Sequence, residues 1–347
     1  MKYKSIQMVL LLKHNMPNPR MDMKKTAQAP SNIAFVKYWG KKDEKLRLPA
    51  NANISMNLSN LNTVTTVEFD PSLKTDAVSI TDNQEEKAIS KVVRHLDRIR
   101  NVAHISLYAK VISRNNFPSS TGLSSSASSF AALTLAASCS AGLSLNEKEL
   151  SIMARLGSGS ACRSIPDGFT EWLEGEDTNS SYAVSLLPAS HFDIVDIVAI
   201  VSNEKKEIPT TEGHALAQTS PFYQTRLTHI KSKIIQCKKF LHKKNFTALG
   251  ELIEKEALEM HAIMITSSPP LIYWLPTTVS LMKQVQTWRK TGLECYFTIN
   301  TGQDIHIICR SKDKERVKEK LQSIKEVKRI IVNIASKGAH LISDHLF

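Results

Sequence analysis

The stretch Pro118-Ser119-Ser120-Thr121-Gly122-Leu123-Ser124-Ser125-Ser126-Ala127 decides the reading of this chain. Pro118 and Gly122 interrupt regular structure. From about Ser126 the sequence turns small and apolar without a break, through Phe130, Ala131, Ala132, Leu133, Leu135, Ala136 and Ala137, until Gly142. That pattern predicts a loop that becomes a buried helix, closed by a glycine. The first turn of such a helix presents N–H groups without intrahelical partners and the positive end of the helix dipole. Together they favour an anion, most often a phosphate. The serines add donors, and a serine hydroxyl can ligate Mg²⁺ beside a nucleotide. The competing reading is a Ser-rich N-cap that binds nothing. No Gly-Lys-Ser/Thr follows, so the loop is not a Walker A motif.

The rest of the chain narrows the class of partner. Its 347 residues suffice for one large or two modest domains. No apolar run approaches the ~20 residues that a membrane span needs. Five cysteines (Cys139, Cys162, Cys237, Cys295 and Cys309) are scattered and form no Cys-x-x-Cys. This argues against a disulfide framework or a zinc site and for a reducing cytoplasm. The formal charge of +12 suggests nucleic acid at first. Much of the excess, however, lies in the N-terminal segment and in the Lys-rich stretch 312–329, where Asp and Glu alternate with it as on a solvated helix face. Few aromatics interleave with the basic residues, as a single-strand binder would require. An anionic small substrate explains the balance better than nucleic acid does.

Working outward, residues 1–25 read as a disordered tail. The segment Ala29-Pro30-Ser31-Asn32-Ile33-Ala34-Phe35-Val36-Lys37-Tyr38-Trp39-Gly40-Lys41-Lys42 reads as a strand ending in lysines and aromatics beside a glycine. Strands are expected over 48–58, 64–69 and 104–113, with a helix over 85–103 between the last two. After the central helix, Ser144 and Glu147 have capping-box spacing for a helix that stops near Gly157. Gly157-Ser158-Gly159-Ser160-Ala161-Cys162-Arg163-Ser164 follows, a turn whose arginine suits bidentate capture of a carboxylate or phosphate. An apolar strand over 192–201 is expected to close the first domain, and the polar segment 203–214 to carry the boundary. This divides the chain into domains 26–203 and 204–347. Helices are expected at 216–242, 246–264 and 276–291. A hairpin follows, with strands 294–299 and 305–310 joined by Asn300-Thr301-Gly302-Gln303-Asp304. A basic helix and a final strand over 329–334 complete an α+β second domain.

Three separated motifs agree: the Ala29–Lys41 opening, the loop before the central helix, and Gly157–Ser164 followed by Gly168-Phe169-x-Glu171-Trp172. Together they resemble mevalonate diphosphate decarboxylases, members of the GHMP kinase superfamily. The resemblance implies an α+β, GHMP-kinase-like two-domain fold, with an N-terminal ribosomal-S5-like domain and a C-terminal α+β sandwich. It implies ATP and Mg²⁺ as cofactors and a phosphorylated mevalonate as substrate. The C3 hydroxyl is phosphorylated, and phosphate and CO₂ then leave to give isopentenyl diphosphate. It also implies a cytoplasmic homodimer with no nucleic-acid or membrane partner.

By the same resemblance Ser119, Ser120, Gly122, Ser124, Ser125 and Ser126 would wrap the ATP phosphates, with Ser126 also at the metal. Lys37 would lie near the reacting oxygens. Tyr38, Lys41, Ser158 and Ser160 would face the substrate's diphosphate, Arg163 its C1 carboxylate, and Thr210 and Thr211 the substrate more loosely. His261 is expected to be structural. One motif departs. The family has Thr-x-Asp-Ala-Gly-Pro-Asn where this chain reads Thr298-Ile299-Asn300-Thr301-Gly302-Gln303-Asp304. An amide cannot accept the hydroxyl proton. Three readings follow. Asp304 supplies the missing carboxylate; or the protein phosphorylates without decarboxylating; or the site is inactive and the fold binds, with RNA as the distinct alternative. Asp167, close in sequence to Arg163, is expected to pair with it.

Overall fold

The computed structural model describes residues 23–81, 85–118, 122–202, 204 and 208–347. The expected tail, apart from its last three residues, lies outside them. Those last residues are not tail, because Lys24 already opens the first strand.

The first sheet is built on two long strands, β1 (Lys24–Val36) and β4 (Asn53–Asp70), paired antiparallel. The two strands expected over 48–58 and 64–69 are thus largely one bent strand, preceded by the short hairpin β2 (Lys41–Asp43) and β3 (Leu48–Pro49). Pro30 cannot donate to a ladder, and the register shifts between Pro30 and Asn32, as a bulge allows. β5 (Ala77–Ile80) and β6 (Tyr108–Asn115) extend the sheet on one side. β7 (Phe169–Trp172) and β8 (Ala183–Leu187) add to β4.

Helix α1 (Glu86–Ala103) precedes β6, and α2 (Ser125–Ser140) is the central helix. Nearly every α2 position from Ala127 to Ala137 is buried, because small residues let it lie against β1 and β4 with no polar face. Each large side chain it buries, such as Leu133, contributes about 1.5–3 kcal/mol. Helix α3 (Glu147–Gly157) follows and ends where expected. Its capping box is formed by Asn146 and Glu149, not by Ser144 and Glu147. The next turn is a 3-10 helix, Gly159–Ser164.

The second sheet has the order β10-β11-β9-β12, with β9 (Val195–Ile200), β10 (Cys295–Thr298), β11 (Ile305–Cys309) and β12 (Arg329–Ile334). The strand expected to close the first domain is therefore an interior strand of the second, bonded to β11 and β12. The expected helix at 216–242 begins as a 3-10 turn, Ala217–Thr219, and becomes α-helical only as α5 (Tyr223–His242), while a short helix, α4 (Thr210–Ala215), occupies the end of the polar segment expected to carry the boundary. α6 (Phe246–Ile265), α7 (Pro276–Lys290) and α8 (Lys314–Gln322) complete the domain. A last strand, β13 (His340–Ile342), returns to the first sheet and pairs with β1. No helix among the described residues is long and apolar enough to cross a membrane.

The two halves are joined at the end of β1. Trp39 is fully buried, yet its neighbours Ala217, Tyr223, Met260 and Ile263 all belong to the second half. Gly40 (φ +89°) makes this approach possible, since a Cβ there would fall 1.9 Å from the Tyr223 hydroxyl.

Candidate active site

The end of β1, the α2 N-terminus, the 3-10 turn and the β10–β11 turn meet around one cleft that encloses about 250 Å³. Ser126 and Arg163 both line it, and the Ser158 hydroxyl donates to Ser126 Oγ at 3.2 Å. The two motifs are therefore neighbours, as the sequence reading requires. Of the expected site residues, Lys37, Tyr38, Lys41, Gly122, Ser124, Ser125, Ser126, Ser158, Ser160, Arg163, Thr210 and Thr211 line the cleft. Ser119 and Ser120 lie outside the described residues.

The loop before α2 is held from both sides. Ser31 Oγ donates to the Leu123 carbonyl at 2.6 Å. Gly122 (φ +109°) rests on Gly302, whose Cα a Cβ at Gly122 would meet at 2.6 Å. Gly122→Ala combines left-handed strain with a backbone clash, a cost of order 1–3 kcal/mol. It is expected to weaken binding of a nucleotide triphosphate about tenfold or more. Calorimetric titration with ATP·Mg²⁺ checks this, and wild-type affinity would refute the close approach.

Arg163 is 4% exposed. Its Nε donates to Ser55 Oγ at 3.1 Å, and its terminal nitrogens donate to the side-chain oxygens of Asn32 and Asn53. All these partners are neutral, and its ring contact is Trp172. Asp167 does not pair with it. Asp167 is exposed, and its carboxylate accepts the Gly338 N–H at 2.6 Å. A buried guanidinium held only by amides and a hydroxyl keeps its positive charge for a ligand. Tyr38 adds a second such signal, because its buried hydroxyl has no hydrogen-bond partner.

Lys37 is 1% exposed, and burial, partly opposed by Glu256, lowers its ammonium pKa to about 7. Its Nζ donates to Asn300 Oδ1 at 3.2 Å, and the Asn300 amide donates onward to Ser124 Oγ at 3.1 Å. His261 is structural, as expected. It contacts the Asn300 carbonyl at 2.9 Å, stacks on Trp274, and is kept neutral by burial, with a pKa near 3. Asn300, with Thr301 beside it, is thus the part of the turn that faces the cleft.

Asp304 is not. It is buried, its Oδ1 accepts the Val201 N–H at 3.0 Å, and it is absent from the cleft lining. It sits just before β11, where its carboxylate serves the end of β9, so the expectation that it supplies the missing carboxylate fails on position.

Sequence reasoning passed over Arg47 and Lys91 as lining residues. Arg47 stands at the tip of a charged hairpin and Lys91 on the polar side of α1, both indistinguishable from solvated surface in sequence. With Lys37, Lys41 and Arg163 they bring five cationic side chains to the cleft. Among the described residues no Asp or Glu lines it. Crowding shows at Lys91, whose pKa is lowered by burial and by Lys87, Arg47 and Arg94.

A two-domain GHMP-kinase-like fold, with a helix N-terminus at its cleft and Lys and Arg but no described Asp or Glu in the lining, defines an enzyme that acts on anionic substrates. Residues 29–183 match the diphosphomevalonate decarboxylase-like N-terminal domain, and residues 196–342 the mevalonate 5-diphosphate decarboxylase C-terminal domain. A diphosphomevalonate decarboxylase of Ganoderma lucidum is 33% identical over 86% of this chain and 80% of its own length. A phosphomevalonate decarboxylase of Haloferax volcanii is 31% identical over 86% of this chain and 91% of its own. Among solved structures, MDDEF in complex with MVAPP, AMPPCP and magnesium is similar with a TM-score of 0.86 at 35% identity, covering 92% of this chain and 99% of that one. The chain belongs to the mevalonate diphosphate decarboxylase family.

Proposed function

We propose that the protein catalyses the ATP-dependent decarboxylation of mevalonate 5-diphosphate to isopentenyl diphosphate, through phosphorylation of the C3 hydroxyl. The single observation that carries this is the cleft. It joins a helix N-terminus suited to a polyphosphate to a buried arginine whose partners are all neutral.

The amides and hydroxyls of Ser124, Ser125 and Ser126 receive the nucleotide's phosphates at the start of α2. Gly122, Ser119 and Ser120 belong to the same loop. Tyr38, Lys41, Ser158 and Ser160 hold the substrate's phosphates, with Arg47 and Lys91 adding charge. Arg163 fixes the C1 carboxylate. Because its guanidinium is pinned by Asn32, Asn53 and Ser55, the carboxylate it grips is held in one orientation. Thr211 completes the substrate side.

The donors present suit Mg²⁺ only in company. Among the described residues no group of three or more His, Cys, Asp or Glu could hold an ion. Mg²⁺ commonly keeps waters and substrate phosphates as ligands, and Ser126 supplies a hydroxyl beside them. Bound there, it would neutralise charge on the nucleotide's phosphates.

Asn300 favours a second reading, phosphorylation at C3 without loss of CO₂. Incubation with ATP, Mg²⁺ and either mevalonate 5-phosphate or 5-diphosphate, following ADP and CO₂ together, decides. The proposal expects equal amounts of both from the diphosphate. ADP without CO₂ would establish the kinase reading, and neither product would overturn both. Free cysteines suit a reducing cytoplasm, and a homodimer rests on the family resemblance alone.

A further inference from the structure

The turn that faces the cleft carries an amide where proton transfer calls for a base, and among the described residues no carboxylate lines the cleft in exchange. We propose that the amine of Lys37 takes the proton from the substrate's C3 hydroxyl during phosphoryl transfer. This rests on the reading of the cleft given above.

The geometry comes first. Lys37 ends β1 inside the cleft, and among the described residues its Nζ hydrogen-bonds to the amide oxygen of Asn300 alone. Asn300 in turn is fixed from behind by His261 and sideways by Ser124. The lysine nitrogen is therefore aimed into the cleft by a neutral partner. A neutral amine can donate one N–H to Asn300 and keep its lone pair for the cleft.

The charged groups around Lys37 come from four elements. Glu256, on α6, is the acid that acts on it most strongly. It binds the Lys37 backbone N–H rather than the amine, at 3.0 Å, and is already shared between Arg226 and Lys233. Arg226, on α5, donates to the Lys37 carbonyl. Arg163, in the 3-10 turn, and Arg226 both disfavour an ammonium. Asp196, on β9, favours it weakly and is engaged by His306 and Asn333. His261 is neutral. Burial dominates this set, and Lys37 reaches a pKa of about 7, where an amine is half deprotonated at neutral pH.

The step balances without a further reactant. The C3 oxygen bonds to the γ-phosphorus, and the bridging P–O bond breaks with its electron pair going to ADP. The hydroxyl proton passes to the Lys37 lone pair. In the second half, the C1–C2 bond breaks, its electrons form C2=C3, and the C3–O pair leaves with phosphate. The ammonium created in the first half then stands beside the departing phosphate and stabilises its charge. One side chain thus serves as proton acceptor and then as electrostatic partner.

The test compares the wild type, Lys37→Arg and Asn300→Asp. Each is followed by kcat/KM against pH, and Lys37 is titrated directly through the ε-carbon signal of ¹³C-labelled lysine. The sign follows from the base being active when neutral. Wild-type kcat/KM should rise with pH through a limb near 7, matching the ε-carbon titration. Lys37→Arg keeps the charge and removes the base, so kcat should fall about 10²-fold or more while ATP binding changes little. Asn300→Asp places a carboxylate against Lys37. This raises the lysine's pKa, so while the amine is the base the limb and the ε-carbon titration should move up together by about a unit or more. Substrate phosphates titrate alike in wild type and Asn300→Asp, so the difference belongs to the protein. Near wild-type kcat in Lys37→Arg would overturn the proposal. So would an ε-carbon titration above about 9 in the wild type, a readout that needs no variant to fold. Either result, with ADP still formed, leaves the reading of the cleft standing. Failure of the wild type to form ADP from any mevalonate phosphate removes that reading and this proposal together.

Discussion

Arg163→Met is expected to lower kcat/KM for the phosphorylated mevalonate by about 30-fold to several thousand-fold, while the protein still folds. The range corresponds to about 2–5 kcal/mol, the usual cost of truncating one side of a buried, hydrogen-bonded charge pair. The two effects separate because of how Arg163 is held. Its partners in the fold are the side chains of Asn32, Asn53 and Ser55, so among the described residues no acid depends on it. Removing it relieves the cost of burying a guanidinium, which offsets much of the hydrogen bonding lost. The ligand's carboxylate has no such compensation, since it loses a cation that was already desolvated and oriented for it. Steady-state kinetics and a thermal melt on the same preparation check both halves. A variant with wild-type kcat/KM would show that the carboxylate lies elsewhere.

The second large effect is on stability. Arg226→Met is expected to cost about 3–5 kcal/mol, because it leaves a buried carboxylate short of its main partner. Glu256 is fully buried and accepts both terminal nitrogens of Arg226, at 3.1 and 3.0 Å, together with Lys233 at 2.7 Å. Burial alone would raise its pKa, but Arg226 and Lys233 outweigh it and hold the carboxyl at about 2. A group whose folded pKa lies below its ordinary value stabilises the fold above that ordinary value, about 4.3. The contribution is lost as pH falls toward 2. Urea unfolding of the wild type should therefore weaken progressively below about pH 5. Glu256→Gln should flatten that part of the profile, and an unchanged acid slope would contradict the pairing. Activity should suffer as well. Glu256 and Arg226, from the second half of the molecule, grip the N–H and the carbonyl of Lys37 at the end of the first half's β1. The pair sets where the lysine stands.

Much of this was legible in the sequence, for identifiable reasons. The helix at Ser125–Ser140 declares itself, since a run of small apolar residues between a Ser/Gly loop and Gly142 has few other solutions. The lysine, serine and arginine motifs carry their chemistry in their residue types, and the fold brings Ser126, Ser158 and Arg163 together.

What stayed hidden depends on long-range pairing. Val195–Ile200 is apolar throughout, and nothing local says which sheet will bury it. Its partners Ile305–Cys309 and Arg329–Ile334 lie more than a hundred residues on. β13 hides for the same reason, pairing with β1 across most of the chain. The cap of α3 had two solutions at the same spacing. Leu145, one residue before the true cap, packs against the core and moves the helix start to Glu147. The turn Asn300–Asp304 held an amide and a carboxylate four residues apart, and only the backbone's path shows that the amide faces the cleft while the carboxylate turns to Val201. The five-cation lining was equally invisible, because Arg47 and Lys91 come from a hairpin tip and a helix side that resemble ordinary surface.

At the centre of the account, the opening of α2 takes a nucleotide's phosphates while Arg163, across the same cleft, takes an organic acid. A crystal structure with a non-hydrolysable ATP analogue, Mg²⁺ and mevalonate 5-diphosphate tests it most directly. The account predicts the polyphosphate against Ser124–Ser126, the substrate's carboxylate on the Arg163 guanidinium, and the C3 hydroxyl beside Lys37 Nζ. A triphosphate bound away from the α2 N-terminus, or a carboxylate that ignores Arg163, would contradict it.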